Sequence, residues 1–256
     1  MTDAAVPNDV DRTVVIDCLS SSVATYRDEY AIVAVDVIRA TTVAVTAVAA
    51  GRRCLVAADL QDAFAIRTRT AGALLAGEIA GDVPDGFDMS NSPADLVLRN
   101  DVDRPLIMLS SSGTQVMLEA SRSVHGAYVA CFRNFRAVAR RLVGRHEQIA
   151  VIGAGSRGEF REEDQMCCAW VAEILAQAGY RPEDRQTADL IERWRGSPAV
   201  ASQASESVAY LRRSNQVRDF DFIVGHVDDL DLVCQIEGNE VSVARHGGVP
   251  GRANTK

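Results

Sequence analysis

The chain has 256 residues, of which 47% are apolar and 24% charged. That is enough for one large globular domain or two smaller ones with full cores, and excludes a disordered or disulfide-stapled scaffold. The formal net charge of −8 withholds the basic face that nucleic acids and anionic membranes require, so neither is expected as a partner. A small anionic substrate needs only a local positive site.

The polar opening, residues 1–12, reads as a flexible tail and lacks the basic start and apolar core of a secretion signal. From residue 13 the pattern is strand, turn, helix, repeated. Residues 14–18 read as a strand, and 31–38 (AIVAVDVI) as a buried one. An Ala/Val-rich helix over 40–50 ends at Gly51. A strand at 54–58 is followed by a helix to about 69, opened by a capping sequence at Asp59–Asp62.

Residues 74–78 read as a strand. Residues 79–92 hold too much Gly, Pro, Asp and Ser to be regular, and Pro93 opens a helix to 99. Strands are expected at 105–110, 127–132 and 149–153, with helices at 114–122, 134–143 and 164–178. Beyond these, two polar helices (187–195 and 205–213) precede a strand at 220–225. A hairpin at 232–236 and 240–244 turns through Glu237-Gly238-Asn239. Residues 247–256 read as a second flexible tail.

Alternating strands and helices imply an α/β fold with three αβα layers and a mainly parallel sheet. Two similar-sized subdomains, 13–145 and 146–246, are expected, the second carrying the short C-terminal β-hairpin. No apolar run is long enough to cross a bilayer. Six cysteines without a C-x-x-C pair fit free thiols in a reducing, cytoplasmic setting. A homodimer is the default expectation, since two-fold oligomers are the commonest.

In a parallel sheet the loops after the strands gather at one edge, where ligands bind. Five such loops carry the unusual polar residues: Asp36 with Arg39, Glu78 to Ser92, Ser110 to Thr114, Arg133 with Asn134, and Gly153 to Asp164.

Several familiar patterns fail. Gly153-Ala-Gly155-Ser-Arg157-Gly158 matches G-x-G-x-x-G, but a charged stretch stands where a dinucleotide-binding helix must begin, and no second strand follows with its acid. A nicotinamide-dependent oxidoreductase is therefore the rival class, not the leading one. Arg245-His246-Gly247 matches a histidine-phosphatase tripeptide only at the chain's end. No Cys has an Arg six places on, and Asp36-Val-Ile lacks the second Asp of the D-x-D phosphatases.

Four segments carry the chemistry. In Asp36-Val-Ile-Arg39-Ala-Thr41-Thr42, an acid ends a strand, and an arginine and two hydroxyls start a helix. A helix N-terminus with a guanidinium suits a phosphate, and an N-cap ion pair is the alternative. Glu78 followed by Asp88, Asn91 and Ser92 offers carboxylate, amide and hydroxyl oxygens suited to Mg²⁺. Turn chemistry accounts for part of that loop, but poorly for Glu78. Ser110-Ser111-Ser112-Gly113-Thr114 forms an anion cradle between strand and helix. In Gly153 to Asp164, glycines admit close backbone approach, Arg157 and Arg161 bring positive charge, and Glu163 and Asp164 start a helix.

In this order, DVIRATT, GE with GFDMSNSP, SSSGT, Arg133-Asn134 and GAGSRGEFREED resemble the 2-phosphosulfolactate phosphatase family of coenzyme M biosynthesis. The resemblance covers residues 31 to 170. It implies Mg²⁺-dependent release of phosphate from a small sulfonated hydroxy acid. Asp36, Arg39, Glu78 and Asp164 are then the expected catalytic residues. Thr41, Thr42, Asn91, Ser92, Ser111, Ser112, Gly113, Thr114, Asn134, Gly155, Arg157 and Gly158 are expected to bind substrate. Asp36, Glu78, Asp88 and Asp164 are the expected metal ligands. Ser112 stands where the family carries an amide, and Ile152 where it often carries a Cys. A non-catalytic or differently specific member is the other alternative.

Overall fold

A computed structural model describes residues 11–79 and 81–245. The expected tails therefore lie outside the described residues, apart from 11 and 12, as do His246 and Gly247 of the terminal tripeptide.

The chain runs β1 (Thr13–Cys18), α1 (Val23–Tyr26), β2 (Ala31–Val35), α2 (Ala40–Ala49), β3 (Cys54–Val56), α3 (Leu60–Arg69), β4 (Leu74–Gly77), α4 (Pro93–Leu96), β5 (Leu106–Leu109) and α5 (Gly113–Ala120). It continues through β6 (Ala127–Ala130), α6 (Phe135–Leu142), β7 (Gln148–Gly153), α7 (Glu162–Gln177), β8 (Arg181–Pro182), α8 (Arg185–Trp194), α9 (Glu206–Arg213), α10 (Val217–Gly225), β9 (Cys234–Glu237) and β10 (Glu240–Val243).

All ten strands join one sheet in the order β4-β5-β3-β10-β9-β6-β2-β7-β1-β8. It is parallel except where the β9–β10 hairpin enters: β10 runs antiparallel to β3, and β9 antiparallel to β6. Gly238, at φ +58°, opens the turn between them. The expected boundary near residue 145 is not a break in the sheet, because β7 lies between β2 and β1. The two sides of that position share one hydrogen-bonded framework.

The layers follow from alternation along the strands. On β2, Ile32 and Ala34 face the core that holds α2 and α5. Ala31, Val33 and Val35 face the core that holds α6 and α7. α3 covers β3, β4 and β5 on that second side. Helix α2 is buried from Ala40 through Val48. A helix apolar on all sides must lie inside the protein, and α2 touches β3, β5, β6 and β10 as well as α4 and α5.

Two expected elements differ. Residues 220–225, expected as a strand, belong to helix α10. Its buried residues Asp219, Phe220 and Ile223 have helical spacing, and the helix packs on α4 and α9. The apolar run FIV resembles a short strand, and only its packing partners decide the outcome. The helix expected from Pro93 to 99 stops at Leu96, leaving Val97 and Leu98 exposed.

Candidate active site

The loops after β2, β4, β5 and β7 converge on one cavity of about 470 Å³, joined by side chains from α9. Asp36, Arg39, Glu78, Asn91, Ser111, Ser112, Gly155, Arg157, Arg161, Glu163 and Asp164 all line it. The four expected catalytic residues thus meet, although they span 128 positions of sequence from Asp36 to Asp164.

Asp36 stands one residue past β2, in a turn that closes on itself. Its backbone N–H donates to Thr41 Oγ1 (2.9 Å), and that hydroxyl donates back to the Asp36 carbonyl (2.7 Å). Oδ1 accepts the Ala40 N–H at 3.2 Å, at the start of α2. The opposite oxygen meets the β5–α5 turn. A Cβ on Gly113 would lie 2.0 Å from Asp36 Oδ2 and 2.4 Å from Ala40 Cβ. Only a residue without a side chain lets that backbone pass, so glycine is required there for close approach.

Asp164, in the first turn of α7, ties two loops together. Oδ1 accepts the Val37 N–H (2.8 Å) and Oδ2 the Gly155 N–H (3.2 Å). Gly155 has φ +60°, and a Cβ there would sit 2.6 Å from the Glu159 carbonyl. Both the left-handed backbone and the space demand glycine.

Burial shapes the charge of these acids. It pushes the Asp36 carboxyl up to about 7, the Ala40 N–H opposing and Glu78 and Glu163 adding to the rise. Burial likewise raises Glu163, with Ser207 and Ser205 countering part of the effect. Asp164 is held well above the carboxylate range by burial, then by Asp36 and Glu163. Three buried acids repel one another at one wall of the cavity.

Arg39 supplies the opposing charge and is itself buried. Nη2 donates to Glu78, and Nη1 to Asp219 (2.6 Å) and to Gln216. These acids hold its charged form despite burial. Arg161 pairs with Glu159 at 2.8 Å, while its Nε is buried without a partner. Arg157 makes no ion pair with any described residue. Two buried acceptors also lack hydrogen-bond partners, Asn91 Oδ1 and Glu163 Oε2, and both residues line the cavity.

Several expected site residues do other work. Asp88 does not line the cavity: Oδ2 accepts the Leu75 N–H (2.8 Å) and lies 3.7 Å from Arg67, which pins the irregular loop to β4. Asn134 is buried and holds the β6–α6 turn. Its Oδ1 accepts the Cys131 N–H, and its Nδ2 donates to the Val129 and Leu232 carbonyls. Arg133 pairs with Asp229. Ser92 caps α4 and donates to Asp219. Thr42 donates to the Val37 carbonyl, and Thr114 closes the Ser110 turn. Gly158 takes a left-handed turn at φ +79°. These residues shape the loops. Eight residues separate the end of β7 at Gly153 from the start of α7 at Glu162, so no helix starts within the glycine-rich loop as a dinucleotide site requires.

A family model described as 2-phosphosulpholactate phosphatase matches residues 10–241. The chain belongs to that family. Proteins named "Probable 2-phosphosulfolactate phosphatase" are similar over most of its length. One from Deinococcus radiodurans is 32% identical over 73% of this chain and 80% of its own. One from Parasynechococcus marenigrum is 33% identical over 79% and 87%. A third, from Pseudothermotoga lettingae, is 33% identical over 54% and 59%.

In this member of the 2-phosphosulpholactate phosphatase family, the cavity draws on residues that sequence reading missed. Ser207, Tyr210 and Arg213 of α9 line it, and Tyr210 donates to the Gly81 carbonyl at 2.6 Å. Asp219 on α10 partners Arg39. These lie outside the segments with recognisable motifs, on a helix read only as polar (α9) and beside a segment read as a strand (220–225). An aspartate next to the apolar run of α10 was the one available signal, and its burial appears only in the structure.

Proposed function

We propose that this protein is a phosphatase releasing inorganic phosphate from a small phosphorylated hydroxy acid, 2-phosphosulfolactate being the substrate its relatives' names point to. The observation that carries the reading is the convergence of Asp36, Arg39, Glu163, Asp164 and the Ser110–Gly113 turn on one cavity, in a chain of this family. Hydrolysis of a phosphomonoester needs positioning and neutralisation of the phosphoryl oxygens more than covalent machinery. Arg39 and the turn N–H groups bind those oxygens. Arg157, Arg161 and Ser207 face the rest of the substrate, where a second anionic group is best received. Asp36 acts at phosphorus, as the attacking carboxylate or as the group that orients water. With its carboxyl near 7, it holds or yields a proton at neutral pH.

The donor set also fits Mg²⁺. Among the described residues no three His, Cys, Asp or Glu side chains stand together as a ready cage. Mg²⁺, however, takes one or two carboxylates and keeps several waters. The orphaned Asn91 Oδ1 and Glu163 Oε2 are acceptors that a cation and its waters satisfy. Asn91 and one or two of Asp36, Glu163 and Asp164 would hold the ion. Glu78, expected among the ligands, is instead engaged by Arg39, and Asp88 faces elsewhere. Bound there, Mg²⁺ supplies charge neutralisation at the phosphoryl oxygens.

The test is phosphate release from 2-phosphosulfolactate and a panel of phosphorylated hydroxy acids, with Mg²⁺ and with chelator. Turnover restored by Mg²⁺ is expected. No turnover of any of them by folded protein overturns the catalytic reading in favour of a binding role.

A further inference from the structure

The geometry points to Asp219 as a positioning residue that sets Arg39 for phosphoryl binding. This rests on the reading that Arg39 receives the phosphoryl group. The two ends of the Arg39 guanidinium meet different kinds of partner. Nη2 meets Glu78, whose side chain is 23% exposed and lines the cavity. Nη1 meets Asp219 at 2.6 Å, a pair in which both side chains are 2% exposed. Asp219 does not line the cavity and cannot touch substrate.

Its other oxygen is fully used. Oδ1 accepts the Ser92 hydroxyl at 2.5 Å and the Ala94 N–H at 3.2 Å. Ser92 Oγ in turn accepts the Asp95 N–H and caps α4. The carboxylate is thus locked to the start of α4 on one side and to Arg39 on the other. A buried guanidinium needs a counter-charge, and here it has two of unequal permanence. Asp219 is the fixed anchor behind it, and Glu78 the partner in front that an arriving phosphoryl anion displaces. A planar guanidinium held at one end keeps the other end aimed, and misalignment by about 1 Å costs roughly 100-fold in rate.

The test combines Asp219→Asn and Arg39→Lys, singly and together. It reads kcat/KM for phosphate release, and the affinity for inorganic phosphate by calorimetry. Asparagine keeps an oxygen for Ser92 and Ala94, so the α4 cap survives while the negative charge facing Arg39 is lost. Asp219→Asn is expected to weaken phosphate affinity and kcat/KM by roughly 10- to 100-fold. In the Arg39→Lys background, the same change is expected to move phosphate affinity by less than about twofold. Wild-type affinity in Asp219→Asn overturns the proposal. Equal losses in both backgrounds also overturn it, because a merely structural role adds. If Asp219→Asn does not fold, Asp219→Glu replaces it. That variant keeps the charge but shifts the carboxylate, so an Arg39-dependent loss supports the proposal and unchanged binding overturns it. Wild-type protein that binds phosphate but turns over no monoester refutes the phosphatase reading alone, and the binding cycle still decides Asp219. Wild-type protein that binds no phosphate refutes both.

Discussion

Asp36 answers two demands that conflict. On the proposed reading, chemistry at phosphorus needs an acid at the head of α2, but folding must bury that acid beside Glu163 and Asp164. Burial lifts its carboxyl from 3.8 to about 7. Between those values the native protein keeps a proton that the unfolded chain has lost, so stability falls as pH rises through that window. The full gap corresponds to about 4 kcal/mol at most. Asparagine mimics the protonated form at every pH. In chelator, Asp36→Asn should match wild type in thermal midpoint only below about pH 3.8, exceed it at pH 5, and exceed it most at pH 8, while releasing no phosphate. A variant less stable than wild type at pH 8 would show that the Ala40 N–H and the nearby Arg39 charge outweigh desolvation. At this scale the sequence was most readable where an acid ends an apolar strand, as with Asp36 and Glu78, because such a group needs a partner. Asp88 misled because carboxylates in turns serve loop geometry as readily as ligands. Glu163 was visible as a helix-start acid within the family-like segment, and its unsatisfied oxygen appears only in three dimensions.

Elements deliver these residues through their turns, and the turns divide into those that touch the site and those that hold it up. The β5–α5 turn belongs to the first kind. Gly113→Ala would drive a methyl into Asp36 Oδ2 and Ala40, displacing the carboxylate or the start of α2. Steady-state kinetics should show kcat/KM down roughly 100-fold, even though alanine is the better helix former. The β6–α6 turn belongs to the second kind. Asn134→Ala strands the buried Cys131 N–H and the Val129 and Leu232 carbonyls. It should cost about 2–3 kcal/mol in denaturant unfolding while leaving KM unchanged. The alternation of strand, turn and helix through residue 178 was legible because apolar periodicity and Gly/Pro punctuation agree there. The 220–225 segment was not, since four apolar or aromatic residues in six positions fit either period until α4 and α9 are known to flank them.

At the scale of the whole molecule, the site depends on chain segments that never approach it. The hairpin was legible from its Gly238-Asn239 turn, but its place in the sheet was not, because nothing local says which edges a hairpin will fill. It lies between β3 and β6, and so joins the strands that carry Glu78 and the Ser110 turn to those that carry Asp36 and Gly155. For the same reason a boundary near residue 145 was a reasonable inference from local composition, though the sheet runs across it. A chain ended after His226 keeps every cavity-lining residue and Asp219. It exposes the inner edges of β3 and β6, whose backbone groups then lack partners, and uncovers Cys54, Val129 and their neighbours in the core. Loss of cooperative thermal unfolding and of phosphate release together is the expected result. A truncated chain that still folds and turns over would mean that α2, packed against both halves of the sheet, suffices to hold the two sets of loops at one cavity.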